Sequence, residues 1–560
     1  MNVASPDLDA DELLFLPLGG AGEIGMNLNL YGLGGKWLMV DLGITFGDES
    51  VPGIDIITPD PSFIAERRDD LLALVLTHAH EDHLGAVAHL WPELGCPVYA
   101  TPFAAAILET KLEEAGLLAE VPLHVVPLGG TLRLGGFEIE FLSITHSIPE
   151  SNALIIRTGL GTVLHTGDWK LDPEPLVGEA TDEAALARLG REGVLAMVCD
   201  STNALEEGWS GSEAAVRESL TEFVAGRRGR VAITSFASNI ARIETAAAVA
   251  RAAERHLVVV GRSLWRMLRA AGKTGYADGV GPVLEAGEGG YLPPEKVLYL
   301  CTGCQGEPRG AMARIASGSH PDVTLEAGDL VIFSSKVIPG NERSIGRLQD
   351  QLALAGIEVV GEKDGFVHVS GHPCRDELRR MYQWVRPAIA VPVHGEARHL
   401  AAHVALATEL QVPDAVAIEN GRMLRLAPGR PEIVQEVQSG RRYLDGGVLS
   451  SEADMAVRER RRLMYNGLAA VTLLLDADGG TVAPPSLVLQ GIPRANGEAS
   501  LDLLVLEAVE TAVGSLPGAV RRDDRRVAEA ARVAVRRALR DAIGKRPVVE
   551  ARVVRLNAGR

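Results

Sequence analysis

Cysteine, aromatic residues and long apolar runs are all in short supply in this chain. Five cysteines in 560 residues (Cys96, Cys199, Cys301, Cys304 and Cys374) are too few and too scattered for a disulfide framework. They predict a reducing, cytoplasmic compartment. No apolar stretch approaches the ~20 residues that a membrane-spanning helix needs, so no membrane partner is expected. The opening MNVASPDLDADELLF is acidic and lacks the basic-then-apolar pattern of a secretory signal. Positive charge is lacking overall as well. The net charge of −19 argues against a surface coated in nucleic acid, while leaving room for a local basic channel.

What remains is a folded protein rich in Ala, Val and Leu, 46% hydrophobic and only 4% aromatic. Its length fits roughly three or four domains. Arg greatly outnumbers Lys. Residues 521–560 hold 12 Arg and 1 Lys against 5 Asp/Glu, a local net charge of +8. Such a run is either a solvated helix face or a contact for a polyanion or partner.

Residues 1–210 alternate short β-type runs with Gly-rich turns, as in LLFLPLGGAGEIGMNLNLYGLGGKWLMVDLG. Residues 211–365 change rhythm to repeated strand–helix units, which predict a parallel sheet with covering helices. Residues 366–430 return to the first style with His-bearing strand ends. They are therefore expected to close the first domain, making 211–365 an insertion. Residues 431–465 read as a linker. Residues 466–560 read as a small α+β domain with two β-type runs, two helices and a final strand.

The chemistry is concentrated in THAHEDHLGA, which places His78, His80, Asp82 and His83 at the end of an apolar run. Burying three imidazoles and two carboxylates is costly unless something pairs them. Imidazole with carboxylate suits zinc, or manganese where carboxylate is available. Residues two apart on an extended loop can face one ion, while the adjacent Asp82 and His83 turn toward another. Other strand ends offer His146 (LSITHSIPES), Asp168 (VLHTGDWKLD) and His394 (AVPVHGEARH). Two ions sharing one bridging carboxylate would use all seven.

The motifs THAHEDHLGA, THSIPES, HTGDWK and VPVHGEARH resemble those of the metallo-β-lactamase superfamily, in the same order. The inserted block resembles the β-CASP insertion of its nucleic-acid-processing branch. LPLGGAGEIGMN, CDSTNA, TGCQGEP, SSKVIPGNE, HVSGHP and VPVHGE resemble the bacterial ribonuclease J family along nearly the whole chain. The resemblance implies an αββα sandwich with a β-CASP α/β insertion and a small C-terminal α+β domain. It implies that His78, His80 and His146 hold one divalent ion, that Asp82, His83 and His394 hold another, and that Asp168 bridges them. Zinc comes first, with manganese as the other activating ion. Asp41, in MVDLG, is expected to orient the ligand loop from behind.

By the same resemblance Asp82, Asp200 and His368 are catalytic. Asp200 serves in anchoring or acid/base work, and His368 lies near the scissile phosphate. His368, Val369, Ser370, Gly371 and His372 form a substrate-binding loop, where glycine lets the backbone approach phosphate. Ser235, Ser238, Arg262, Ser334 and Ser335 are candidates for a 5′-phosphate pocket. Cys301 and Cys304 form a C-x-x-C that reads as structural, with no second pair to complete a zinc site. Asp445, in YLDGG, lies where the resemblance allows an auxiliary cation or an interface contact, and it reads equally as a turn residue. The implied function is a 5′→3′ exoribonuclease favouring 5′-monophosphate ends, with some endonuclease activity. Single-stranded RNA is the expected partner. The resemblance also implies a homodimer or homotetramer formed through the C-terminal region, and RNA-decay proteins as further partners. A phosphodiester site does not announce its sugar, so a DNA nuclease of the same superfamily stays open, as does an RNA-decay scaffold.

Overall fold

The computed structural model describes residues 11–48, 50–451, 455–494 and 501–556. Most of the acidic N-terminal stretch lies outside the described residues. The chain divides into two compact units, residues 1–45 with 58–441, and residues 46–57 with 442–560.

The first unit is built on two stacked sheets. One has eight strands, ordered Glu432–Glu436, Arg422–Ala427, Leu13–Gly19, Leu28–Leu33, Lys36–Val40, Leu71–Val75, Val98–Ala100 and Leu123–Val125. The other has seven, ordered Thr131–Leu134, Phe137–Ser143, Asn152–Thr158, Gly161–His165, Ala196–Asp200, Ile389–Val393 and Asp414–Ala415. Period-2 alternation sorts their side chains. Phe137, Ile139, Phe141, Leu154, Ile156, Ala196 and Val198 meet the facing sheet. Their neighbours Leu142, Ala153, Ile155, Met197 and Cys199 point the other way, under helices Glu183–Glu192, Arg375–Val385 and Ala397–Glu409. Where both faces are covered, the strands read as near-continuous apolar runs, as in Ala196–Asp200 and Ile389–Val393. Each fully buried large apolar side chain contributes roughly 1.5–3 kcal/mol.

A third sheet of six parallel strands lies between these segments in sequence, ordered Leu284–Glu285, His256–Val260, Val297–Cys301, Val231–Thr234, Leu330–Phe333 and Glu358–Val360. Beyond it, Ile389–Val393 pairs parallel to Ala196–Asp200, returning the chain to the seven-stranded sheet. The strand ends of both sheets therefore face the segments that carry the polar motifs.

Arg242, fully buried on helix Ile240–Ala252, is a hub that the sequence does not announce. Its guanidinium donates to Glu213 Oε2 at 2.9 Å, to the Ser334 carbonyl at 2.9 Å and to the Val367 carbonyl at 3.2 Å. It ties two helices to the residue before the 368–372 loop. Breaking a buried pair leaves an unpaired charge, so Arg242→Met should cost about 3–5 kcal/mol. Denaturant unfolding checks this, and an unchanged midpoint would deny the hub its structural role.

In the second unit, strands Thr481–Gln490, Leu468–Leu475 and Val548–Arg555 form one sheet. Ala469, Val471, Leu473 and Leu475 alternate inward onto Val505, Val509 and Val513 of helix Leu501–Gly514 and Val527, Ala531 and Val535 of helix Asp524–Ile543. Residues 431–465 are more ordered than a linker: strand Glu432–Glu436 belongs to the first unit's eight-stranded sheet, and strands Arg441–Asp445 and Val448–Ser451 and helix Met455–Asn466 follow it. Asp445 is held by Arg460 at 2.5 Å, an ion pair that occupies the carboxylate proposed for a cation.

Candidate metal centre

The strand Leu71–Val75 delivers Thr77 and His78, and the short helix Glu81–Leu84 presents Asp82 and His83. Asp41 follows the adjacent parallel strand, Lys36–Val40. Its carboxylate accepts from the Thr77 N–H at 2.8 Å, from Thr77 Oγ1 at 2.8 Å and from His83 Nδ1 at 2.7 Å. Asp41 sits in the left-handed region, at φ 63. The backbone around it is packed hard against the ligand loop. A Cβ on Gly43 would lie 1.7 Å from the Asp82 carbonyl oxygen, so only glycine fits. Asn27, from the GGAGEIGMN motif, adds a side-chain hydrogen bond to that same carbonyl at 3.0 Å.

The hydrogen bonds behind the rings decide which nitrogen faces inward. Thr77 Oγ1 gives its proton to Asp41, so at 3.0 Å it accepts from His78 Nδ1. His146 Nδ1 donates to the Gly371 carbonyl at 2.5 Å. His394 Nδ1 meets Thr202 Oγ1 at 2.9 Å, and that hydroxyl bonds Asp200 Oδ1 at 2.8 Å. His78, His83, His146 and His394 thus present Nε2, while His80 presents Nδ1.

Two donor sets result. His78, His80, His146 and Asp168 bring one ligand atom each within 4.8 Å of one another, and so do Asp82, His83, Asp168 and His394. Asp168 belongs to both, with its Oδ2 at 3.9 Å from His78 Nε2 and His146 Nε2 and at 3.1 Å from His83 Nε2. In the first set, burial and then neighbouring imidazoles push His78 and His146 well below the usual histidine range, and burial takes His80 to about 4. Three neutral rings therefore aim lone pairs at one another across 3.0–3.1 Å. In the second set burial opposes protonation of His83 and His394, but Asp168 and its fellow carboxylates prevail. His394 rises to about 10. Asp82 and Asp168 stay ionised despite burial, held down by those imidazoles. The first set offers neutral nitrogens, and the second offers ionised carboxylates whose charge holds protons on His83 and His394. A divalent cation would displace those protons, and the combined nitrogen and oxygen donors fit such an ion.

A third cluster joins Asp200 and His372 to Asp168 and His394. His372 Nδ1 lies 2.8 Å from Asp200 Oδ2 and 3.9 Å from Asp168 Oδ2. Burial alone would lower its pKa, but Asp200 raises it. Of the two histidines in the 368–372 loop, it is His372 and not His368 that bonds Asp200. Among the described residues no hydrogen bond or ion pair joins His368 to Asp200 or to the ligand cluster. Its Nδ1 is buried without a hydrogen-bond partner, and burial followed by the charges of Arg242, Lys170 and Lys336 keeps it neutral. The loop geometry explains the difference. Asn203 Nδ2 bonds Ser370 Oγ at 2.8 Å and the His372 carbonyl at 3.0 Å, turning the end of the loop onto Asp200. Arg242 holds Val367 at its other end. Gly371 permits the approach, since a Cβ there would lie 2.8 Å from His146 Cε1.

The proposed phosphate pocket is only partly assembled. Ser235 and Ser334 follow neighbouring parallel strands, and Ser335 lies beside them. Ser334 Oγ donates to the Val367 carbonyl at 2.7 Å, and Gln305 Nε2 reaches Ser335 Oγ at 3.4 Å. Ser238 is half-buried near this edge. Arg262 is exposed and follows His256–Val260, separated from Val231–Thr234 by another strand. Cys301 and Cys304 are buried free thiols that burial keeps protonated, Cys304 at about 11. Sequence reasoning missed Thr202 and Asn27, although both lie inside the quoted motifs.

Replacing Asp41 by Asn keeps a side chain that tolerates left-handed backbone but weakens the brace on His83. Loss of such an outer partner typically lowers metal affinity about 10–100-fold. A competitive chelator titration of Asp41→Asn should show a drop of that size, and unchanged affinity would remove Asp41 from the centre.

Comparison with known proteins agrees with this architecture. Residues 27–192 match the metallo-beta-lactamase superfamily and residues 228–352 the ribonuclease J beta-CASP domain. Residues 356–416 match a Zn-dependent metallo-hydrolase RNA specificity domain, and residues 455–556 the ribonuclease J C-terminal domain. The chain is 47% identical to ribonuclease J of Sinorhizobium meliloti, over 96% of each chain. It is 37% identical to that of Mycolicibacterium smegmatis, over 98% of this chain and 99% of the relative. A crystal structure of a protein of unknown function from Enterococcus faecalis shares the fold. Its TM-score is 0.51 at 16% identity, covering 74% of this chain and all of that one. The two stacked sheets are thus a metallo-β-lactamase domain, the six-stranded sheet is a β-CASP domain, and the chain belongs to the ribonuclease J family.

Proposed function

We propose that this chain is a metal-dependent ribonuclease that cleaves RNA phosphodiesters at the centre built around Asp168. The observation that carries this reading is the pair of donor sets sharing one carboxylate. In it, His78, His80 and His146 hold one divalent ion and Asp82, His83 and His394 another, with Asp168 common to both. Zinc suits the imidazole-rich first set, and manganese is the alternative where carboxylate weighs more. When bound, two such ions supply a nucleophile at neutral pH and neutralise charge on a phosphoryl oxygen.

The chain's own residues do the rest. Asp41, Thr77 and Thr202 lock ring tautomers, so the donor atoms need no rearrangement. Asp200 holds His372 protonated at the edge of the cluster, where its imidazolium donates a proton to the departing 3′-oxygen. Asp200 is then the positioning carboxylate and His372 the acid. The 368–372 loop, with Ser370 and the backbone at Gly371, lies beside the scissile phosphate. The preference for a 5′-monophosphorylated end would rest on a terminal-phosphate pocket near Ser235, Ser334 and Ser335, which follow neighbouring strands of the six-stranded sheet. Endonuclease action, a homodimer or homotetramer through residues 466–560, RNA-decay partners and a cytoplasmic setting complete the reading. All five cysteines are free, in keeping with a reducing compartment. Among the described residues no helix is long and apolar enough to cross a membrane.

The test is one labelled RNA carrying a 5′-monophosphate, a 5′-triphosphate or a 5′-hydroxyl, incubated with metal-replete protein. Mononucleotides released fastest from the monophosphate support the reading. Equal release from all three ends would remove the 5′-pocket, and internal fragments alone would remove the exonuclease.

A further inference from the structure

The second unit carries a groove of about 1330 Å³ whose walls are unusually basic for so acidic a chain. It runs among helix Met455–Asn466, helix Asp524–Ile543 and the start of strand Val548–Arg555. Six arginines line it: Arg462, Arg532, Arg536, Arg537, Arg540 and Arg546. Three glutamates face them, Glu459, Glu529 and Glu550, leaving a net of +3 from six positive and three negative groups.

The placement of these charges matters more than their number. Helix Asp524–Ile543 buries Val527, Ala531, Val535, Ala538 and Leu539 against its own sheet, so its orientation is fixed by the core. That orientation puts Arg532, Arg536 and Arg540 in an i, i+4, i+8 row, rising about 6 Å per step. Like charges at this spacing repel and weaken a helix unless something neutralises them. Glu529 pairs with Arg532, and Asp541 lies 2.7 Å from Arg540. Arg536 has no carboxylate within ion-pair distance among the described residues, and neither does Arg462 or Arg546 on the adjoining walls. All three are exposed.

The helix row, with unpaired Arg536 at its middle and unpaired Arg462 and Arg546 on the adjoining walls, spreads positive charge along the groove and matches an extended polyanion better than a point anion. Arg is well shaped for phosphate. The groove's other lining residues include no aromatic side chain on which a base could stack, so the contact it offers is to backbone phosphates and carries no sequence preference. The rest of the chain is net acidic, which would direct a polyanion to this patch. We propose that this groove binds single-stranded RNA through its phosphates, independently of sequence, and so holds substrate at a place other than the hydrolytic centre. The choice of RNA over an acidic protein rests on the ribonuclease reading above.

The test compares full-length, metal-replete wild type with the triple variant Arg462→Ala/Arg536→Ala/Arg546→Ala. A second triple, Arg494→Ala/Arg522→Ala/Arg525→Ala, removes equal charge from the same unit outside the groove. Binding of a long 2′-O-methyl single strand is followed by fluorescence anisotropy over a salt series, and hydrolysis of a 5′-phosphorylated trinucleotide is followed in parallel. The groove triple should bind the long strand at least tenfold more weakly. It should also flatten the salt dependence by about 2 in slope, from ~0.7 per neutralised phosphate. Trinucleotide hydrolysis should not change, and the control triple should bind like wild type. Equal losses in both triples would reduce the effect to net charge and overturn the proposal. Unchanged RNA binding with an altered sedimentation coefficient would make the groove an interface between copies, and would overturn it too. A wild type that hydrolyses no trinucleotide but binds RNA through the groove would instead refute the ribonuclease reading and leave the groove standing.

Discussion

Asp168→Ala should abolish RNA hydrolysis and release both metal ions together. The carboxylate is 2% exposed and is the one group shared by both donor sets. Its Oδ2 faces His78, His83 and His146, and its Oδ1 lies 3.6 Å from His394 Nδ1. Any other ligand serves one set, so its loss should cost mainly one ion. Removing Asp168 also takes away the leading charge that raises His83 and His394, and with it the negative charge that would attract a cation between them. Turnover should fall by at least about 10³, the scale on which losing a preorganised charge-stabilising group acts. Elemental analysis after dialysis should find less than one ion per chain. Full metal content with retained hydrolysis would disprove the bridging role.

His372→Ala should separate chemistry from metal binding. His372 bonds Asp200 rather than completing either of the two main donor sets, so both ions should remain. Turnover should drop by about 10²–10⁴, the usual contribution of a positioned acid. His368→Ala should act differently. That imidazole sits near Arg242, Lys170 and Lys336, away from Asp200, so its loss should raise KM more than it lowers kcat. Steady-state kinetics with metal analysis on both variants decides the matter. A kcat loss larger in His368→Ala than in His372→Ala would move the acid from position 372 to position 368.

The contrast between these two histidines shows where sequence reasoning stops. His78, His80, Asp82 and His83 were legible because six consecutive residues after a buried strand have almost no other reason to be so polar. His146, Asp168 and His394 were legible because each ends a strand, and sheet strand ends gather at one edge. Asp41 was legible as a strand-end carboxylate, though its grip on Thr77 and His83 depends on a register between two strands that spacing does not show. The choice between His368 and His372 depends on a turn that Asn203 imposes from 169 positions away in sequence. The hub at Arg242 was hidden for the same reason, since its partners Glu213, Ser334 and Val367 come from distant segments. The strand–helix rhythm of 211–365 and the alternation in 466–475 followed from local periodicity. The ordered strands and helix within 431–465 did not, because short polar elements owe their form to tertiary pairing rather than to pattern.

The central claim is that the Asp168 centre hydrolyses RNA with divalent metal. The most direct test uses one sequence as RNA and as DNA, incubated with protein as purified, after chelation, and after re-addition of Zn²⁺ or Mn²⁺. The account predicts cleavage of RNA alone, lost on chelation and restored by either or both ions. Undiminished RNA cleavage by fully stripped protein, or cleavage of DNA in preference to RNA, would contradict it.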